Sequence, residues 1–256
     1  MLIPWLTSDY PVLTPMEWTL RIWSSLAGDS RGSSSVDHLE AYIQRITASK
    51  IPHQKIEGLA LHYLLNDLES IPSNQVERTL AKVKISSKAA GLEITPPDET
   101  AQDVPQIQPS KKRKQRTVVN RSAIYDRLLS SGILVENVRF QTRFAHPVVT
   151  GYMASFGLDN DTIPANLVTE TRWCVQNISL RFYTAREKTL SWSSELLKED
   201  DPLYRRTMTI CRWLPDIPVD FPTRNQILRH IAGLIQNTSI PLYIQSRILT
   251  TFLASN

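Results

Sequence analysis

Apolar residues recur at helical spacing along most of the chain. Thr14-Pro15-Met16-Glu17 combines a capping side chain, a proline suited to the first helical position and the glutamate of a capping box. A helix is predicted from Thr14, with Met16, Leu20, Trp23 and Ala27 on one face and Gly28 at its end. After a loop to Ser35, Val36, Leu39, Ile43 and Ile46 repeat the spacing until Pro52 interrupts it. Ile56, Ala60, Leu64 and Leu68 then follow at four-residue steps, with Leu61 and Leu65 widening the face. Pro72 stops that helix, and Ser73 is placed to cap a fourth one carrying Val76, Leu80 and Val83, with Gly91 near its end. Residues 1–92 therefore read as a bundle of four antiparallel helices.

The texture changes next. Four prolines (Pro96, Pro97, Pro105 and Pro109) fall between Thr95 and Ser110 without apolar periodicity, and the basic run follows, so 93–118 reads as an extended linker. A helix is predicted from about Val119 to Ser130, with Ile124, Leu128 and Leu129 inward and Gly132 beyond its end. Ile133–Val135 and Val138–Phe144 are β-rich and flank Glu136-Asn137, which is the pattern of a hairpin. Helix, hairpin and a further helix near Pro147 match the closing part of a winged helix, a helix-turn-helix variant whose hairpin is the wing. Residues 119–160 are assigned to that unit.

From 161 to 256 the pattern is helical again, with segments near 165–177, 184–197, 203–213, 223–236 and 241–254. Pro215, Pro218, Pro222 and Pro241 mark the corners. Leu203, Met208 and Trp213 share one segment, Ile227, Ile231 and Ile235 the next, and Ile244, Ile248 and Phe252 the last. These stripes read as core, and their recurrence suggests HEAT-like helical pairs. Because the chain stops directly after an apolar helix, a polar capping repeat is expected to lie beyond it. The predicted fold is thus mainly α: a helical bundle, a winged-helix-like unit with a β-hairpin, then HEAT-like helical pairs. Eight glycines against sixteen prolines suit that picture better than a glycine-dependent nucleotide-binding sheet.

Composition narrows the function classes. The formal charge of +4 becomes −1 once Lys111, Lys112, Arg113, Lys114 and Arg116 are set aside, so the basic character is one short segment. That run reads as a solvated charged tether, with a nuclear-import or nucleic-acid-binding tag as the alternative. The chain has neither a stretch of about 18 apolar residues nor a signal-peptide pattern at its N-terminus, so no membrane span and a cytoplasmic location are expected. Cys174 and Cys211 stand far apart and read as buried small apolar residues.

Catalytic signatures are missing. The stretch nearest to a phosphate-binding loop, Gly28 to Ser33, has the wrong spacing and no lysine. The histidines are dispersed, and His53 with Glu57 is the one pair at ligand spacing, expected as a surface coincidence. Glu199, Asp200 and Asp201 precede a helix and read as a complement to its dipole. His146, in Arg143-Phe144-Ala145-His146-Pro147, sits at a predicted helix N-terminus, where a capping role is the simple expectation and an anion contact the sharper one. No catalysis, no cofactor and no metal are expected.

Leu128-Leu129-Ser130-Ser131-Gly132-Ile133-Leu134, Arg143 to Pro147, and Gly151-Tyr152-Met153-Ala154-Ser155 together resemble a passage of bacterial STAND or NACHT-type signalling NTPases. Cys211 to Pro215, Arg224 to Leu234 and Arg247 to Leu253 look like the HEAT-like helices that follow in such proteins. The resemblance spans about residues 120–255, while the first 90 correspond by order alone. It implies a regulatory, protein-interaction module of such an NTPase, working with a protein partner or an NTPase domain in trans. It also implies that His146 is the counterpart of a histidine that contacts the nucleotide. Without a phosphate-binding loop, hydrolysis does not carry over. The competing reading is a winged-helix nucleic-acid binder using Arg121, Arg139 and Arg143, with Arg127 nearby, and the basic run Lys111, Lys112, Arg113, Lys114 and Arg116.

Overall fold

The computed structural model describes residues 15–27, 34–47, 51–83, 122–159, 175–198 and 201–255. The first three helices form where the apolar spacing places them: α1 (Pro15–Ala27), α2 (Ser35–Thr47) and α3 (His53–Leu65). Leu20, Leu39, Ile43, Ile56, Leu59 and Leu64 are buried, as one-sided apolar stripes require. Ser34 opens α2 by exchanging hydrogen bonds with Asp37: its N–H donates to the carboxylate at 3.1 Å, and the Asp37 N–H donates to its hydroxyl at 3.2 Å. That is a capping arrangement at the helix start.

The stop at Pro72 has a more specific cause than helix breaking. Ile71–Pro72 is a two-residue strand, β1, followed directly by α4 (Ser73–Lys82). After α5 (Ala123–Ser130) come β2 (Leu134–Glu136) and β3 (Gln141–Phe144). The sheet is antiparallel in the order β1-β3-β2, with Ile71 opposite Thr142, Pro72 opposite Gln141 and Leu134 opposite Phe144. β1 is an edge strand, where a proline without an N–H does no harm. The series α3, β1, α4, α5, β2, β3 is that of a whole winged helix, a three-helix unit closed by a hairpin. Its first half comes from residues expected in the bundle, and residues 84–121 fall between its second and third helices.

Thr142 holds this unit together. It is fully buried on the inner face of the central strand, and its hydroxyl lies 2.7 Å from the Tyr125 hydroxyl and 3.0 Å from that of Ser73. Its carbonyl accepts from the Tyr63 hydroxyl at 2.6 Å, and the Tyr63 ring meets Phe144 edge-on at 5.3 Å. Ser73, expected as a helix cap, makes no cap bond. Its hydroxyl turns to Thr142, to the Glu136 carboxylate and to the Phe140 carbonyl, partners better placed than the helix N–H groups.

The hairpin is shorter than the β-rich run suggested. Val138, Arg139 and Phe140 form the loop rather than the second strand, and Phe140 adopts φ +57°. The Asn137 side chain accepts N–H bonds from Arg139 at 2.9 Å and Gln141 at 3.0 Å, while the Phe140 N–H donates to the Asn137 carbonyl at 3.0 Å. A side chain that mimics a turn carbonyl thereby ends the ladder early. α5 carries one inward residue that its aliphatic spacing did not single out, Tyr125, fully buried beside Leu128.

The far end of α4 is equally fixed. Lys55 is buried and donates its ammonium to the carbonyls of Leu80, at 2.6 Å, and Val83. A cation at that place complements the negative end of the α4 dipole. Gly58 lies against Val83 so closely that a Cβ would sit 2.6 Å from a Val83 methyl, so a side chain there would displace the end of α4.

α6 (Pro147–Phe156) runs from the hairpin into the interior, packed between α3 and α7 (Val175–Thr184), and Val149 to Ser155 are all buried. Gly151 permits the approach of α7, since a Cβ would stand 2.5 Å from Ile178. The segment 184–197, expected as one helix, is instead a turn followed by the short α8 (Ser193–Leu197). The chain folds back there because Trp192 stacks on Tyr183, with ring centroids 6.2 Å apart, which an unbroken helix would prevent. Of the helix expected over 165–177, the part before Val175 lies outside the described residues.

The last helices are α9 (Arg205–Cys211), a 3-10 turn (Leu214–Asp216), α10 (Pro222–Gln236) and α11 (Leu242–Ser255). α10 and α11 follow the expected stripes: Ile227, Ile231, Ile244 and Ile248 are buried, and Ile235 and Phe252 pack partly against them. Leu203 departs from its stripe and is exposed. Arg224 donates to the carbonyls of Leu214 and Ile217, the latter at 2.7 Å, so α10 carries the donor that satisfies the turn before it. The fold is mainly α with one small sheet, and a continuous core joins all the helices from α1 to α11.

A polar latch joins distant parts of the chain. The Arg181 guanidinium pairs with Asp216 at 2.5 Å, Ser35 donates its hydroxyl to the same carboxylate, and Arg181 donates to Ser35 at 3.0 Å. The start of α2 is thus bonded to α7 and to the 3-10 turn. Replacing one partner leaves the other poorly solvated, so Asp216→Ala should lower the unfolding free energy by about 2 kcal/mol in denaturant titration. Thr142→Val should cost about 1–3 kcal/mol in the same measurement, because the hydroxyls of Ser73 and Tyr125 lose a buried partner.

Candidate functional site

The junction between hairpin and α6 brings together the most informative of the expected site residues. Leu134 pairs with Phe144 across the hairpin, and the Ala145 N–H donates to the Ile133 carbonyl at 2.9 Å, which carries the strand pairing up to the helix start. His146 then takes an extended conformation, φ −143° and ψ 135°, with Pro147 at the first helical position behind it. Its Nδ1 accepts the Val148 N–H at 3.1 Å, and its carbonyl accepts the first helical N–H groups, from Val149 and Thr150. His146 therefore caps α6 with its side chain, the simple expectation for its position.

The cap determines the chemistry of the ring. An Nδ1 that accepts a hydrogen bond carries no proton, so the neutral ring holds its proton on Nε2. Burial lowers the pKa of the half-buried imidazole, which keeps it neutral further into the acid range. His146 thus presents a neutral N–H donor at the base of the wing.

Arg139 and Arg143 lie on the wing itself. Arg139 is exposed in the loop at the tip, and Arg143 is exposed on the outer face of β3, opposite Val135. Neither forms an ion pair among the described residues. Lys111, Lys112, Arg113, Lys114, Arg116 and Arg121 lie outside the described residues. The hairpin therefore unites three of the expected site residues, with the two arginines toward the tip and along the outer face and His146 at the base.

The hairpin also exposes residues that charge alone does not single out. Val138 is 98% exposed, Phe140 65% and Val135 43%, which gives the hairpin an apolar surface between its arginines. The signal was present in the sequence, since three large apolar residues in a short hairpin exceed what one buried face can hold. The structure places them outside.

Elsewhere the potential ligands have structural partners. His53 Nε2 lies 3.1 Å from the Thr47 hydroxyl, and burial lowers its pKa. Burial raises the pKa of Glu57, with the positive charge of Arg186 opposing the shift. Asp201 accepts from the Leu203 N–H at 3.0 Å and pairs with Arg205 at 2.5 Å, which is how an acid before a helix is expected to act. Its pKa is lowered, the Arg205 hydrogen bond being the main cause. Cys211 is buried, and burial pushes its thiol up to about 11. Cys174, Glu199 and Asp200 lie outside the described residues. Among the described residues no group of three His, Cys, Asp or Glu side chains is arranged to hold a metal ion, and no helix is long and apolar enough to cross a membrane.

No protein-family model matches the chain, and neither does any curated protein or solved structure. The functional reading therefore rests on the site's own chemistry and on the sequence resemblance.

The cap makes a testable distinction between two substitutions. His146→Ala should destabilise the protein by about 1 kcal/mol in thermal or denaturant unfolding, whereas His146→Asn, which also caps well, should lose much less. The pH response has a definite sign. A histidine whose folded pKa is lowered contributes stability that is complete above about pH 6.5 and lost as pH falls through the folded pKa. The wild type should therefore lose stability relative to His146→Asn on acidification below about pH 6.5, with the two curves parallel at higher pH.

Proposed function

We propose that the chain is a non-catalytic regulatory and protein-interaction module of a STAND-type signalling NTPase, acting on a protein partner or on an NTPase domain supplied in trans. The observation that carries this reading is α6. It begins at His146 and is buried from Val149 to Ser155 between α3 and α7. A contact made by the imidazole is therefore felt by a helix that has no room to adjust alone, because close-packed interiors shift as units. The winged helix and the helical array are coupled through it.

His146 has the chemistry that such a contact needs. Its neutral Nε2–H can donate to a nucleotide phosphate or to a carbonyl of a docked domain without bringing a second charge. The α10–α11 pair, in this reading, is a HEAT-like unit. Its outer helix offers a second contact, since Leu242, Tyr243, Leu249 and Leu253 are exposed on α11 and Arg247 is its one charged residue. A largely uncharged, apolar helix face is the usual composition of a protein contact.

The test is ADP and ATP binding by calorimetry, with the chain alone and mixed with a STAND-type NTPase domain. Binding should appear or tighten in the mixture, and His146→Asn should weaken it while leaving the melting temperature near the wild-type value. An unchanged affinity in His146→Asn would remove the nucleotide-contact role. Failure of the two proteins to associate would remove the regulatory reading itself.

A further inference from the structure

The contact between α1 and α2 contains a titratable group that the regulatory reading does not use. Trp23 and Ser24 of α1 meet His38, Tyr42 and Arg45, which share one face of α2 at four- and three-residue steps. The Trp23 and Tyr42 rings stand edge-on at 5.6 Å, and the Arg45 guanidinium lies 5.3 Å from the centre of the Trp23 ring. Ser24 and His38 are buried, with the Ser24 hydroxyl 2.9 Å from Nδ1 of His38. Among the described residues α2 is the main neighbour of α1. α2 is itself tied down at its start, since Ser35 bonds both Asp216 and Arg181. α1 thus leans on a helix that is fixed independently of it.

The hydrogen bonds assign the proton of the imidazole. A hydroxyl has one proton to give, and that of Ser24 goes to the Arg21 carbonyl at 3.1 Å, an atom that can only accept. Nδ1 of His38 must therefore donate to Ser24, so the neutral ring carries its proton on Nδ1 and a lone pair on Nε2. Nε2 is buried and has no hydrogen-bond partner among the described residues. Charging the ring places its second proton on this nitrogen, which creates a donor and a positive charge with no acceptor to meet them. Burial lowers the pKa of His38, the charge of Arg21 on α1 adds to the shift, and Asp37 on α2 opposes it. Arg45, the other cation of this contact, is turned to Trp23. The closed contact therefore favours the neutral ring. Separation of α1 from α2 brings the imidazole into water, where its ordinary pKa of about 6.5 returns.

We infer that α1 is an acid-released helix: protonation of His38 on Nε2 frees α1 from α2, while α2 and the winged helix keep their places. One proton is taken up for each opening. A group that the fold holds neutral contributes stability that is complete above about pH 6.5 and lost as pH falls through its folded pKa, so opening becomes up to about tenfold more frequent with each pH unit in that range. Release uncovers the face of α2 that carries His38, Tyr42 and Arg45, and it bares Trp23 on α1. The device is separate from His146, which responds to acid at the start of α6, and it requires neither a nucleotide nor an NTPase partner.

The experiment is hydrogen exchange of the full-length chain, read by mass spectrometry from about pH 8 to about pH 5 and corrected for the intrinsic pH dependence of exchange. Protection in peptides from α1 should fall by up to about tenfold per pH unit below about pH 6.5, while peptides from α10 and α11 keep theirs. His38→Gln, whose amide can bond Ser24 without titrating, should flatten the slope in α1 and leave the acid response of α6 in place. Arg21→Gln keeps the carbonyl that Ser24 needs and removes a charge that opposes protonation. The folded pKa then rises toward its ordinary value, and the total loss of α1 protection on acidification should be smaller than in the wild type. This second variant carries the test if the substitution at the buried histidine prevents folding. An α1 slope that persists in His38→Gln, an acid loss unchanged in Arg21→Gln, or protection lost from α1 and the core together would overturn the proposal.

Discussion

The hydrogen-bonding capacity of β3 is the constraint on which the winged helix depends. Its backbone has two sides, and β2 covers only one of them. The other is closed by the two residues of β1, drawn from a part of the chain some seventy positions earlier. Once Ile71 stands opposite Thr142, α3 must end just before the sheet and α4 must begin just after it. Tyr63 then reaches the carbonyl of this threonine and Ser73 its hydroxyl. A buried hydroxyl with several partners is costly to satisfy incompletely, so this network selects one arrangement of the three helices rather than merely adding to their stability.

Elements set by local spacing were the most legible in sequence. α1, α2, α3, α10 and α11 each present an apolar stripe long enough to specify itself, and the proline and glycine signals around them are local too. The residues that remained hidden owe their roles to tertiary partners. A strand of two residues is too short to show alternation, so Ile71 and Pro72 looked like a helix stop. Tyr125 faces inward because Thr142 and Glu136 are there to receive its hydroxyl, which no periodicity reveals. The run from 184 to 197 has helical composition, yet Trp192 gains more by stacking back on Tyr183 than by continuing a helix.

The candidate site divides in the same way. The cap at His146 was readable from Pro147 and the apolar run behind it, since capping is decided within one helical turn. The consequence of that cap, a histidine with its proton assigned to the outer nitrogen, required the geometry. The wing arginines were visible as charges, but their setting was not. What distinguishes Arg139 from an ordinary surface arginine is the strained, apolar loop around it, and that loop exists because Asn137 replaces a backbone acceptor.

The fastening of α4 at its far end has an evolutionary corollary. Lys55 and Gly58 anchor Val83, and α5 is anchored separately by Tyr125 and Leu128, so each of the two helices is held by its own contacts among the described residues. In sequence the two helices are separated by residues 84–121, and the entropic cost of closing a loop grows in general by only about 0.6 kcal/mol for each doubling of its length. A unit whose helices are each held from within tolerates gain, loss or exchange of the sequence between them at little thermodynamic penalty. Lineages that descend from a common ancestor could therefore differ greatly in this segment and still share the fold, and the same interval offers a designer a port for grafting a foreign peptide.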